Sequence, residues 1–318
     1  MQKTLLTILK QIESVVVGKP HECRLALACL LAQGHLLIED LPGMGKTTLA
    51  HTLAKTLSLS YQRTQFTSDL LPSDVIGISI FNSETKRFEL HKGPVFNQVI
   101  LADEINRASP KTQSALLEAM AENQVSIDGV THELPNPFFV IATQNPLFNA
   151  GTYPLPESQL DRFMMRISLG FPSIEAEKNI LLSSSIQSAA TVDMPDIINV
   201  HTLISMQDLI QKVHASDSII DYIIALCRVS RGQSVIDTED KISCNPLSPR
   251  AGKALLSAAR AWAFIDDRDY LLPDDIKAVF YNVCEHRLAL NVTEQLDASH
   301  SISQRILDTV NVLKPLDV

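Results

Sequence analysis

The stretch Pro42-Gly43-Met44-Gly45-Lys46-Thr47-Thr48 constrains this 318-residue chain more than any other. It follows a short apolar run, His35–Glu39, and precedes a helix-like stretch, Lys46–Leu57. Gly43 and Gly45 permit backbone conformations and a close approach that a Cβ would block. The N–H groups of such a loop then face an anion at a helix N-terminus, where the helix dipole also favours negative charge. Lys46 supplies a point charge for β- and γ-phosphates, and the Thr47 hydroxyl suits a magnesium ion. Between a strand and a helix the string reads as a Walker A loop, with 42–48 as the segment that binds ATP or ADP. One position departs from GxxxxGK[ST], because residue 40 is Asp rather than Gly. A carboxylate aimed at a triphosphate would repel it, so Asp40 is expected at the strand-loop junction with its side chain turned away.

Two more apolar runs end in polar residues. Val99-Ile100-Leu101-Ala102 leads into Asp103-Glu104, the Walker B pattern. Asp103 is expected to hold Mg²⁺ together with Thr47, partly through water, and Glu104 to polarise an attacking water. Phe138–Ala142 leads into Thr143-Gln144-Asn145, and Asn145 is placed to reach the γ-phosphate or its water from a neighbouring strand.

Strand-length runs at 35–39, 61–66, 99–103, 138–142 and 164–169 alternate with helical stretches such as Lys46–Leu57 and Pro110–Glu122. That alternation predicts an α/β domain with a parallel sheet covered on both faces. Two inserted hairpins are expected, at about 78–91 and 124–134. The second places Asp128-Gly129 between alternating strands, which suits a type I′ turn. After Pro172 the strand signals stop and helical periodicity dominates. Ser248-Pro249 opens one helix as N-cap and N1, and Pro273-Asp274-Asp275 opens another. The expected organisation is a large α/β domain over 1–172 and a linker with a smaller all-α domain over 173–318.

Charge narrows the partners. With 27 Lys and Arg against 36 Asp and Glu the net charge is −9, whereas a protein that grips nucleic acid through many phosphates carries a basic excess. Five cysteines with no CxxC pair predict buried free thiols in a reducing cytosol, not disulfides or zinc. Residues 1–13 read as an amphipathic helix with Leu5, Ile8, Leu9 and Ile12 on one face, not as a signal peptide. The longest apolar run, Leu25–Ala32, is too short to span a bilayer, so a cytoplasmic protein without membrane insertion is expected.

The three phosphate-site elements, in this order, resemble the AAA+ superfamily, and more closely its MoxR family. The likeness is carried by 65–74 (QFTSDLLPSD), 101–120 (LADEINRASPKTQSALLEAM) and 141–163 (IATQNPLFNAGTYPLPESQLDRF). It continues through Leu247-Ser248-Pro249-Arg250-Ala251 and Arg268-Asp269-Tyr270. The resemblance implies a three-layer α/β/α domain with a five-stranded parallel sheet and a helical lid. It makes Asn145 sensor 1, Arg162 the arginine finger that completes a neighbour's ATP site, and Arg250 sensor 2. Arg166 is a rival finger, and pairing of Arg162 with Asp161 or Glu157 is its structural alternative. Val17-Gly18 looks like the purine-contact segment, with a helix-ending glycine as the alternative. The family further implies a homo-oligomer, a hexamer, and a partner protein carrying a von Willebrand factor A domain. Its tasks are chaperone-like remodelling or maturation, including metal-cofactor insertion. A nucleotide-dependent assembly module with little turnover and a DNA-dependent motor are the competing functions. The hairpin tip at Asp128-Gly129 has no Lys or Arg, which counts against the motor.

Overall fold

A computed structural model describes residues 2–145, 151–182, 197–233, 242–288 and 301–312. Its strands are β1 (Leu36–Glu39), β2 (Tyr61–Gln65), β3 (Gly77–Asn82), β4 (Arg87–Lys92), β5 (Val99–Asp103), β6 (Gln124–Ile127), β7 (Val130–Glu133), β8 (Phe139–Gln144) and β9 (Met165–Ile167). Its helices in the first half are α1 (Gln2–Val15), α2 (Pro20–Leu31), α3 (Lys46–Thr56), α4 (Pro72–Ile76), α5 (Pro110–Glu122) and α6 (Glu157–Leu160). They continue as α7 (Ile174–Leu182), α8 (Val200–Gln211), α9 (Asp217–Ser230), α10 (Pro249–Ile265), α11 (Pro273–Leu288) and α12 (Ile302–Thr309).

Five strands form one parallel sheet in the order β2-β5-β8-β1-β9. Its central strands are buried on both faces, which is why β5 and β8 are almost uninterrupted apolar runs. Alternate residues serve different cores. Leu36, Ile38, Val99, Leu101, Phe139 and Ile141 face the core shared with α1, α2, α3 and the C-terminal helices. Leu37, Ile100, Ala102, Val140 and Ala142 face Leu116, Leu117 and Met120 of α5. Leu5, Ile8, Leu9 and Ile12 are buried as the helical stripe of α1 requires. His35 lies at the start of β1 with both ring nitrogens bonded, accepting from the Val140 N–H and donating to the Met120 carbonyl. Burial pulls its pKa down to about 4, so it is a neutral structural histidine.

Both hairpins form. β3 pairs with β4 and β6 with β7, and Asp128 and Gly129 adopt φ of 50° and 79°, the paired positive values of a type I′ turn. Ser248 caps α10 by accepting the Ala251 N–H, with Pro249 at the first turn. Beyond β9 the described elements are all helices. The packing does not break there: Arg24 of α2 stacks 3.9 Å over Trp262 of α10 and pairs with Asp266 at 2.6 Å. Among the described residues no helix is long and apolar enough to cross a membrane. The segment 146–150, part of the resemblance to the MoxR family, lies outside the described residues.

Candidate nucleotide site

The loop after β1 enters α3 through Gly45, which has φ 88°, and Gly43 has φ 85°. A Cβ built on either would meet no atom within 4 Å, so the space above the loop is open. No side chain caps α3, and its first turn carries no acid. Its leading N–H groups therefore lack the partners that helix starts normally find, and an anion would supply them. The Lys46 ammonium donates to the Asp40 main-chain carbonyl at 2.8 Å and to Asn145 Oδ1 at 3.5 Å. Burial lowers its pKa, while Asp103, Asp40 and Glu104 pull the other way. Pro42 is exposed and Met44, Thr47 and Thr48 are half-buried around the same turn. An open cradle of N–H donors beside a buried cation fits a triphosphate.

The Asp40 side chain turns away from this loop, as its charge demanded. Its carboxylate accepts from the Ser168 hydroxyl at 2.9 Å, from the Gly170 N–H at 3.2 Å and from the Leu169 N–H.

The two acids converge on the loop from β5. Asp103 Oδ1 accepts from the Thr143 hydroxyl at 2.6 Å, and Oδ2 accepts from Arg63 Nη2 at 2.7 Å. Glu104 adopts φ 56° and ψ 48°, a left-handed conformation uncommon for a glutamate. That turn sends its carboxylate sideways, where Oε1 accepts from Asn145 Nδ2 and Oε2 from Gln65 Nε2, each at 2.9 Å. One chain of contacts thus runs from Asp40 through Lys46 and Asn145 to Glu104 and Gln65. It joins the C-terminal ends of β1, β8, β5 and β2. A ligand crevice outside the carboxyl ends of parallel strands is where open α/β sheets bind.

Three of these partners escaped the sequence reading: Arg63, Gln65 and Thr143. The available signal was in β2, whose Tyr-Gln-Arg-Thr-Gln is far more polar than the other parallel strands. Arg63 and Gln65 stand two residues apart and so face the same side.

The arginines expected as finger and sensor 2 lie elsewhere. Arg162 precedes β9, at the sheet end opposite the P-loop, and Nη1 donates to the Leu117 carbonyl of α5, not to Asp161 or Glu157. Arg166 is held by Glu39 at 2.9 Å. Arg250, in the first turn of α10, lies 3.7 Å from Asp161. Arg162, Arg250, Lys253 and Arg287 line one cleft of about 300 Å³, with Asp161 as the single carboxylate among its lining residues and Gly34 beside it. Arg250 therefore shares the cleft of Arg162 at the far end of β1, and does not reach its own chain's Lys46. Arg287 was also missed. It is 6% exposed, pairs with Asp161 Oδ1 at 2.7 Å, and donates to the carbonyls of Asp161, Phe163 and Met164 at 3.2, 2.8 and 3.2 Å. Val17 is half-buried, and Gly18, in the turn between α1 and α2, has φ 78° and lies against Ala176 of α7.

A five-stranded parallel sheet in this order, a P-loop after its β1 strand and a helical lid define an AAA+ ATPase. Residues 35–165 match the ATPase family associated with various cellular activities (AAA), and 224–308 match the AAA lid domain. The chain is 43% identical over 305 residues to the YeaC protein of Bacillus subtilis, covering 95% of this chain and 93% of that one. It is 36% identical over 311 residues to the chaperone MoxR1 of Mycobacterium tuberculosis, covering 96% and 82%. A crystal structure from Cytophaga hutchinsonii superposes with a TM-score of 0.84 at 40% identity, covering 98% of this chain and 95% of that one. This chain belongs to the MoxR family of AAA+ ATPases.

Proposed function

We propose that residues 42–48 bind ATP, that Glu104 and Asn145 act on the water that cleaves it, and that the chain works as a cytoplasmic ring of identical subunits remodelling partner proteins. The observation that carries the reading is the continuous contact from Lys46 through Asn145 to Glu104, because a triphosphate on the loop then lies between the cation and the base. Thr47 and Asp103 would hold Mg²⁺, which neutralises charge on the β- and γ-oxygens. Val17 and Gly18 would contact the purine. Asn145 orients Glu104, and Glu104 accepts the water's proton. Among the described residues, Arg63 and Arg107 beside the site are already paired, with Asp103 and Glu104. Arg162 and Arg250 face away from their own loop, so their place is the outer side of a neighbour's triphosphate.

Partner remodelling is supported by the likeness to a protein named a chaperone. A hexameric ring, a partner with a von Willebrand factor A domain, and maturation by metal-cofactor insertion follow from the family resemblance. The assembly-module reading and the motor reading are tested together. Steady-state phosphate release is expected with Mg-ATP alone and unchanged by DNA; absent release would favour the module, and stimulation by DNA that fades with salt would favour the motor.

Arg63 holds the acid that the metal needs. Arg63 is half-exposed while Asp103 is largely buried, so solvent screening from one side keeps the pair's worth to about 1 kcal/mol. Arg63→Ala should therefore lower the Mg²⁺ concentration for half-maximal ATP binding by about two- to fivefold. A magnesium titration with a fluorescent ATP analogue reads this directly, and an unchanged midpoint would show that the pair does not compete with the metal.

A further inference from the structure

Asp40 occupies a position where the general Walker A pattern has glycine, and its two ends touch different parts of the molecule. Its main-chain carbonyl accepts the Lys46 ammonium at 2.8 Å, and its N–H donates to the Gln144 carbonyl at 3.4 Å. Its carboxylate, on a residue only 7% exposed, is bonded by Ser168, Leu169 and Gly170. Those three residues follow β9 and begin the connection into the lid. A buried carboxylate stripped of its donors is costly, so Asp40 and 168–170 are obliged to move together.

A second grip closes on the same connection. Lys19, next to the Val17-Gly18 segment, donates to the Phe171 carbonyl at 2.6 Å. Gly18 lies so close to α7 that a Cβ there would come within 2.6 Å of the Ala176 Cβ. The base of the phosphate loop and the segment proposed to meet the purine therefore both hold residues 168–176. A phosphate oxygen arriving at Lys46 competes with the Asp40 carbonyl for the ammonium, and so acts on the residue that carries the connection.

We infer that Asp40, assisted by Lys19, is the positioning residue that passes the occupancy of the nucleotide site to the 168–176 connection. This rests on the reading that 42–48 bind a triphosphate. The Asp40 carboxylate is turned from residues 42–48 towards the amides and hydroxyl of 168–170. It converts the displacement of Lys46 into a change at the Leu169 and Gly170 amides.

The test is amide hydrogen exchange over 165–175 in full-length chain carrying Glu104→Gln, with and without Mg-ATP, alongside ATP affinity. With Asp40 present, ATP should change exchange at Leu169 and Gly170 by about tenfold. Asp40→Ala should exchange fast in both states, with ATP affinity kept within about threefold. In a chain with Glu104 intact, Asp40→Ala should lower kcat about tenfold with KM nearly unchanged, and Asp40→Asn, which keeps one acceptor oxygen, should recover part of it. Should Asp40→Ala fail to fold, Lys19→Met removes the second grip and should about halve the logarithmic response. The inference is overturned if ATP binds normally but leaves these amides unchanged, or if Asp40→Ala responds as fully as its parent. Failure of the parent to bind ATP at all overturns the phosphate-loop reading itself, and this inference with it.

Discussion

Replacing Glu104 by Gln is expected to abolish turnover while the chain still binds ATP. The glutamine keeps the length and most of the contacts of the original, since one oxygen remains to accept from Asn145 or Gln65. What it loses is the capacity to take a proton. General-base catalysis contributes about 10²- to 10⁴-fold, so steady-state phosphate release should fall by that order. Affinity should hold, because the phosphate contacts proposed for Lys46 and the loop N–H groups do not include Glu104. Single-turnover phosphate release and equilibrium binding on the same preparation separate the two quantities. Turnover close to that of the unaltered chain would remove Glu104 from its assigned role.

Arg162→Ala should lose about a thousandfold in turnover, the usual scale for an arginine finger, yet regain activity when mixed with a chain that is itself inactive. The inactive donor is Lys46→Ala, whose own loop cannot hold phosphate but whose Arg162 is intact. If the finger serves the adjacent subunit, each Arg162→Ala loop flanked by a Lys46→Ala chain becomes complete. Random assortment at equal amounts makes about a quarter of the interfaces productive, so activity should rise to that order. Arg166→Ala is the control: its guanidinium is held by Glu39 of the same chain, so its defect should not be rescued. No recovery in mixtures that still assemble would move the finger to another residue.

Much of the sheet was legible because a parallel strand buried on both faces has to be apolar. The run 99–103 became β5 and 110–122 became α5 without adjustment at either end. The strand expected over 164–169 shortened to Met165–Ile167, because the amides of 169 and 170 turn to Asp40 instead of continuing the ladder. Asp40 itself could be oriented from charge alone. The loop, both acids and Asn145 were legible because each stands at the polar end of an apolar run. Arg63, Gln65 and Arg287 were not, because their significance comes from what lies opposite them in space. The polar sequence of β2 marks it as unusual, but only the register of β2 against β5 shows that Arg63 and Gln65 reach the acids of its neighbour. Arg250 was legible as a residue of the family's pattern, but its direction was not: only the packing of α10 shows that it faces the Arg162 cleft.

Arg287 ties the segment 161–164 to α11 with its guanidinium almost wholly buried. The arginine of that segment is thereby mounted on the same helix that any swing of the lid must carry. In a closed circle of such chains, tilting one lid would withdraw or advance a charge at the next chain's cleavage site with no relay in between. Timing around the circle would then be a matter of mechanical linkage, set by how stiffly one buried side chain holds four residues.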